Sequence, residues 1–138
     1  MTGYSGTPLV KKLGIKPAMT FYVMDAPQEY EQWLGPLPEG ATLVNKQPKI
    51  EIEAAHLFFY ERYKLHSALI SLRNQLSQSG FIWISWPKKA SKVPTDITED
   101  VIREIALPMG FVDIKVCAVS DIWSGLKLVI RKSERLTT

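Results

Sequence analysis

The stretch AAHLFFYERYKLHSALISLRNQLSQSGFIWISW, residues 54–86, holds two apolar runs of strand length on either side of an amphipathic segment. Leucines in that segment recur at spacings of four, three and four, the period of one helix face: Leu65, Leu69, Leu72 and Leu76. We predict a strand over 52–60, a helix that starts at Glu61 and that Gly80 ends, and a buried strand over 81–86. Strand, helix and strand in this order pair in parallel through a crossover, which indicates an α/β fold.

The segments before this unit repeat the alternation of helices and strands. Proline at a first helical position, glycine stops and continuous apolar runs predict a short helix at 8–13, a strand at 19–24, a short helix at 27–34 and a strand at 41–45. The segments after it predict a helix at 98–107 and a terminal hairpin of strands 112–118 and 123–130. In the first hairpin strand we expect Val112, Ile114, Val116 and Ala118 on one face, and Asp113, Lys115 and Cys117 on the other.

Composition excludes several classes of protein. A chain of 138 residues that is 46% hydrophobic suits one domain with one core, 1–138, without a disulfide or metal to stabilise it. The single Cys117 gives no disulfide framework, no apolar run approaches the length of a membrane span, and no hydrophobic stretch follows the N-terminal lysines as in a secretory signal. We therefore expect a cytoplasmic protein that has no contact with a membrane. A net charge of +3 is too small to indicate nucleic-acid binding by itself.

Together these elements predict a three-layer Rossmann-like sandwich. Its sheet should be mostly parallel, with about six strands and a C-terminal antiparallel hairpin. Ligands of such sheets bind beyond the carboxyl ends of the strands, where strand order switches. The segment WPKKASKVPTDITED, residues 86–100, directly follows a strand end, so its lysines should lie on the rim of that crevice.

Three segments carry a resemblance to a known family: GYSGTPLVKKLGIKP at 3–17, WPKKASKVPTDITEDVIRE at 86–104 and WSGLKLVIRK at 123–132. They resemble a bacterial family of small proteins of unknown function that are regarded as cut-down relatives of class I S-adenosylmethionine-dependent methyltransferases. The resemblance implies a methyltransferase-like sheet whose last strand is inserted antiparallel. It also implies that one strand-helix crossover is missing between residues 46 and 52, and it implies no known reaction.

The turn after the first strand argues against the usual methyltransferase cofactor site. Class I enzymes use a glycine-rich turn there, because glycine lets the backbone approach the ligand closely. Here the turn reads MDAPQEY, residues 24–30, without glycine, and the second strand ends in Asn45 rather than an acidic residue. We expect no cofactor. If S-adenosylmethionine nevertheless binds, the residues available to contact it are Asp25, Glu29 and Asn45.

The lysine-containing segment has two interpretations. Lys88 and Lys89 flank the crevice, and the helix after them, with Thr95, Asp96 or Thr98 as N-cap, would aim free N–H groups at the same space, which suits an anion. Alternatively, the acidic residues that follow form an internal charge network that braces the loop. We expect a small anionic ligand or a protein partner to bind a crevice formed with the N-terminal segment and the hairpin. The candidate ligand-binding residues are Tyr4, Ser5, Trp86, Lys88, Lys89, Lys92, Thr95, Thr98, Trp123 and Ser124.

The remaining candidates point to neither catalysis nor metal binding. His56, inside an apolar strand, is typical of a buried histidine hydrogen-bonded to a neighbour, and no second ligand stands at a metal spacing from it. No serine has the sequence context of a nucleophile, and Cys117 is typical of a small buried side chain. We therefore predict no catalytic residue and no metal ligand.

Two alternative functions remain open. A methyltransferase with a degenerate cofactor site is the first. An RNA-binding module that uses the basic residues of the C-terminal segment is the second. A charged edge strand explains those basic residues without nucleic acid, because charged edges discourage association between sheets.

Overall fold

The computed structural model describes residues 7–136. Tyr4 and Ser5, two candidate ligand-binding residues, lie outside that range. The described chain forms, in order, α1 (Leu9–Leu13), β1 (Thr20–Met24), α2 (Tyr30–Leu34), β2 (Thr42–Val44), β3 (Ile52–Phe58), α3 (Arg62–Arg73), β4 (Leu76–Pro87), α4 (Glu99–Ala106), β5 (Phe111–Ala118) and β6 (Trp123–Ile130). Among the described residues, no helix is long and apolar enough to span a bilayer.

The six strands form one sheet in the order β2-β1-β3-β4-β6-β5. β1 pairs in parallel with β2 and β3, β3 pairs in parallel with β4, and β6 lies antiparallel between β4 and β5. The sequence predicted this mostly parallel sheet and its antiparallel terminal hairpin, and the structure confirms both. No helix or strand occurs between β2 and β3, where the resemblance implies a missing crossover. After β1 the chain forms β2 on one side of β1, and it then forms β3 on the other side of β1. The direction in which successive strands are added therefore reverses at β1.

Buried side chains form two clusters, one on each face of the sheet. One cluster includes residues of α3 and α4, among them Leu65, Leu69, Leu72, Ile102 and Ile105. The other includes residues of α1 and α2, among them Leu9, Leu13, Tyr30 and Leu34. Trp83 belongs to the α1 cluster and Trp86 to the α3 cluster, so the two rings face opposite sides, as their spacing predicts.

The predicted boundary between α3 and β4 is wrong. The helix ends at Arg73, and β4 already starts at Leu76, which pairs with Ile52. Leu76 continues the leucine spacing of the helix and is buried in the same cluster, so the periodicity alone does not separate helix from strand at this point. Gly80 does not end the helix but lies within β4, where a side chain would stand 2.8 Å from the Glu53 carbonyl oxygen. Glycine is needed there because the strands approach closely at an irregular pairing.

The predicted alternation along β5 is also wrong. The pairing with β6 shifts between Asp113, which faces Leu128, and Lys115, which faces Lys127, leaving Ile114 as an extra residue. Such a bulge moves the residues before and after it onto opposite faces. Ile114 is 55% exposed and Val116 is 47% exposed, because β5 forms an edge of the sheet.

Candidate functional site

A cavity of about 870 Å³ opens at the carboxyl ends of β1 and β2. The polar residues that line it are Asp25, Gln28, Glu31, Asn45 and Lys46. The cavity lies over β1 and β2, next to the switch point between β1 and β3 at which open α/β sheets of this strand order bind their ligands. Of the three residues proposed to contact a cofactor, Asp25 and Asn45 line this cavity. Glu29 is exposed and precedes α2 without lining it.

The turn that carries the chain out of β1 has an unusual backbone. Asp25 has φ 57°, in the left-handed region that favours glycine and that Asp and Asn tolerate better than most side chains. Pro27 follows and has no N–H to donate to a ligand. The cavity wall therefore consists of side chains at the position where a glycine turn would expose backbone N–H groups.

A buried hydrogen-bonded chain lies behind this cavity. The Tyr30 hydroxyl, on a residue that also lines the cavity, lies 2.7 Å from His56 Nδ1, and His56 Nε2 lies 2.7 Å from Ser85 Oγ. His56 and Ser85 are fully buried and Tyr30 nearly so. This confirms His56 as a buried histidine hydrogen-bonded to its neighbours. Burial lowers the pKa of His56 to about 3 and raises the pKa of Tyr30. The imidazole is therefore neutral, and one ring nitrogen donates while the other accepts.

Sequence reasoning missed Tyr30, Gln28 and Glu31 as residues of this site. Tyr30 and Gln28 belong to the turn segment that was judged only for its lack of glycine. Their position just after the first strand was a usable signal, because every residue following a strand end at the switch point is a candidate to line the crevice.

The lysine loop, residues 88–98, follows β4 at the same end of the sheet as the cavity. Pro87 pairs with Trp123 and Trp86 with Ser124, and the Lys88 N–H donates to the Ile122 carbonyl at 2.8 Å. The structure thus brings Trp123 and Ser124 beside the loop. Trp86 is only 6% exposed and packs in the α3 cluster, so its ring belongs to the core.

Three polar residues fix the second half of the loop. Thr95 Oγ1 donates to the Tyr60 carbonyl at 2.6 Å, and Asp96 Oδ1 accepts from the Arg62 N–H at 2.7 Å, so both hold the loop to the start of α3. Thr98 Oγ1 accepts from the Val101 N–H at 3.2 Å and is the N-cap of α4. Of the three candidate caps in the sequence, Thr98 is the one the structure uses.

The lysines of the loop are not engaged by these acidic residues. Glu99 and Asp100 both pair with Arg103, at 3.0 and 3.1 Å, while Asp96 caps α3. Within residues 7–136, no carboxylate lies within 4 Å of the ammonium groups of Lys88, Lys89 and Lys92. Lys88 is half-buried and the other two lysines are exposed. The acidic network therefore braces α4 and α3 and does not engage these lysines.

An aromatic row runs between the cavity and the lysine loop. The rings of Phe58 and Trp123 are 5.1 Å apart and meet edge-on, and the rings of Tyr60 and Trp123 are also 5.1 Å apart. Phe58 stacks on His56 at 4.3 Å, so the row continues into the buried chain. Tyr60, two residues after β3, is 51% exposed and gives this end of the sheet an accessible aromatic surface. In the part of the chain that the structure describes, no group of three or more His, Cys, Asp or Glu side chains is placed to hold a metal ion.

Solved structures similar to this chain include methyltransferases. A SAM-dependent methyltransferase from Aquifex aeolicus aligns with a TM-score of 0.61 at 12% identity, covering 88% of this chain and 87% of that one. Magnesium protoporphyrin IX methyltransferase from Synechocystis PCC 6803, solved with bound SAM, aligns with a TM-score of 0.57 at 12% identity, covering 90% of this chain and 76% of that one. Identities this low show the fold alone, which is methyltransferase-like. No curated protein matches the chain.

Most of the chain matches a known protein family. The family described as "Protein of unknown function (DUF3052)" matches residues 39–132, which is more than half of the chain and includes the lysine loop and the terminal hairpin. The chain therefore belongs to the DUF3052 family of proteins of unknown function.

Proposed function

We propose that this chain is a ligand-binding domain that binds a small polar molecule in the β1–β2 cavity and does not transfer methyl groups in the usual way. The observation that carries this proposal is the 870 Å³ cavity beyond the carboxyl ends of β1 and β2, lined by two carboxylates, two amides and one ammonium group. Such a lining suits a neutral or zwitterionic molecule with several hydroxyl or amino groups. We interpret the helices on both faces of the sheet as the outer layers of a three-layer sandwich. This arrangement leaves the carboxyl ends of β1 and β2 open to ligands.

The same residues argue against the usual mode of S-adenosylmethionine binding. A glycine turn would bring backbone N–H groups to the methionine part of that cofactor, whereas here Pro27 lacks an N–H and Asp25 places a carboxylate in the space. At the end of β2, Asn45 and Lys46 stand where an acidic side chain would accept the ribose hydroxyls. We therefore derive no step of methyl transfer from this cavity. A methyltransferase that binds the cofactor in an altered pose is the alternative.

Calorimetric titration with S-adenosylmethionine and S-adenosylhomocysteine separates the two. We expect no heat from either at two temperatures, because the contacts above are missing. A dissociation constant of about 1 μM or tighter, roughly −8 kcal/mol, would contradict the proposal. Loss of that binding in Asp25→Asn, which keeps a residue that tolerates the left-handed backbone, would then assign the cofactor to this cavity. Lys49→Gln, in an exposed loop outside the cavity, is the control.

The lysine loop supports a second candidate function, the binding of a small anion at the same edge of the sheet. The specific observation is that Asp96, Glu99 and Asp100 are engaged elsewhere while Lys88 and Lys89 flank Trp123 and Ser124. Alanine at both Lys88 and Lys89 should weaken the binding of an anion such as inorganic phosphate, measured by calorimetry. Unchanged phosphate affinity in the folded double variant would remove the loop from consideration.

A further inference from the structure

Three lysines lie on the face of the sheet against which α1 packs, which we call the α1 face. They belong to neither of the sites described at the carboxyl ends of the parallel strands. Lys115 in β5 and Lys127 in β6 are paired in register. Directly opposed residues of antiparallel strands project their side chains from the same face, with Cβ atoms about 5 Å apart. The loop after α1 lies over this pair, because a methyl group on Gly14 would stand 3.8 Å from Lys127 Nζ. Lys16 follows two residues later. We call Lys16, Lys115 and Lys127 the α1-face lysines.

The bulge at Ile114 creates this arrangement. Without the extra residue, continued alternation would place Ile114 opposite Lys127 and move Lys115 to the other face. Instead, Asp113 faces the α4 side, where it accepts from Arg103 Nε at 3.1 Å, and Lys115 faces the α1 side. The bulge therefore puts Lys115 and Asp113, the nearest carboxylate in sequence, on opposite faces of the sheet. It also places Lys115 beside Lys127.

No acidic side chain compensates this charge within the described residues. None of the ion pairs there, all within 4 Å, involves Lys16, Lys115 or Lys127. Partial burial, followed by the charges of Lys115 and Lys16, lowers the pKa of Lys127. Opposed like charges in a sheet destabilise it, so the arrangement has a cost in the free protein.

Packing explains only part of the cluster. Lys127 Nζ lies 4.4 Å from the centre of the Phe81 ring, a favourable cation–π contact. That contact accounts for Lys127 but not for Lys115, which is exposed and opposes it, or for Lys16. A multiply charged anion would interact with all three ammonium groups and remove their mutual repulsion.

We propose that the α1-face lysines form a binding site for a short phosphate chain, of the kind found in a nucleoside diphosphate or triphosphate or in polyphosphate. Three lysines that interact electrostatically on one face of the sheet match the closely spaced charges of such a chain better than the extended backbone of a nucleic acid. Lys127 pairs with Trp83 of β4. Trp83 precedes Lys88 by five residues, and a strand rises about 3.3 Å per residue, so the site lies roughly 15 Å along the sheet from the lysine loop. It is therefore separate from both sites at the carboxyl edge.

Inorganic triphosphate, titrated calorimetrically into the full chain, tests the proposal. We expect binding by the wild type and weakening by about tenfold or more in Lys115→Gln and in Lys127→Met, since each loses one charged hydrogen bond. Lys49→Gln makes the same change of charge in an exposed loop and should leave the affinity unchanged. No binding by the wild type, or equal weakening by Lys49→Gln, would overturn the proposal.

Two further readings separate this site from its alternatives. Without ligand, Lys115→Gln should unfold at the same or a higher temperature than the wild type, because repulsion is relieved; a lower temperature would indicate a structural role for Lys115 instead. A single-stranded RNA oligonucleotide provides the second reading. RNA binding that Lys115→Gln abolishes, in a wild type that does not bind triphosphate, would replace the short phosphate chain with a nucleic-acid backbone.

Discussion

His56 illustrates at the scale of one residue how burial sets a protonation state. The imidazole bridges Tyr30 and Ser85 in a space that excludes water, and its pKa falls from 6.5 to about 3. Because the folded state holds this proton less tightly, the unfolded chain binds more protons between these two pH values. The contribution of His56 to stability is therefore fully present above pH 6.5 and is lost as the pH falls towards 3.

The first prediction concerns this residue. The free energy of unfolding should fall by about 2 kcal/mol between pH 7.5 and pH 5, where carboxylates stay largely ionised. Urea denaturation at each pH measures the decrease. In His56→Gln the decrease should disappear, whereas Ser85→Ala should retain it because the imidazole stays buried.

If His56→Gln does not fold, the same prediction can be tested on the wild-type protein by NMR. The ring resonances of His56 in the wild type, followed by NMR, should not shift between pH 7.5 and 5. A titration midpoint near 6.5 would contradict the burial that we describe.

At the scale of single elements, α4 shows how one side chain fixes a helix start. The Thr98 hydroxyl accepts the Val101 N–H, and Glu99 and Asp100 lie in the first turn, where carboxylates interact favourably with the helix dipole. Arg103, one turn later, pairs with both acids and with Asp113 of β5. The cap and the ion pairs therefore fasten the lysine loop to the edge of the sheet.

The second prediction concerns this cap. Thr98→Ala should lower the free energy of unfolding by about 1 kcal/mol, because the Val101 N–H in the first turn of the helix loses its partner. Thr98→Ser keeps the hydroxyl and should cost much less. Chemical denaturation of the three proteins provides the comparison, and equal losses in both variants would show that the threonine methyl group, not the hydroxyl, stabilises this helix start.

Elements also show where sequence reasoning succeeds and fails. The α/β alternation, the terminal hairpin and the burial of His56 could be predicted, because each depends on local hydrophobic patterns. The end of α3 could not, because Leu76 satisfies the helical period while pairing with Ile52 of β3. The bulge at Ile114 could not either, since it appears only in the register with β6.

At the scale of the whole molecule, the site was the least predictable part. The sequence placed the lysine loop beside the hairpin, as the structure has it, whereas its role in ligand binding stays a prediction. The cavity formed between β1 and β2 depends on side chains from two separate turns, and only the folded sheet brings Asp25 close to Asn45. The α1-face lysines likewise come from separate parts of the chain, since Lys16 follows α1 whereas Lys115 and Lys127 belong to the terminal hairpin.

The position of β6 has a consequence for how the chain folds. β6 is the last strand in sequence, yet it lies between β4 and β5 rather than at the rim. A ribosome releases residues in order, so one side of β4 stays unpaired until β6 has been synthesised, although Ile82 and Ile84 of β4 are completely buried in the folded sheet. Closure of the sheet must therefore wait until Ile130 has emerged, and until then β4 presents an unpaired strand edge of the kind that promotes association between chains.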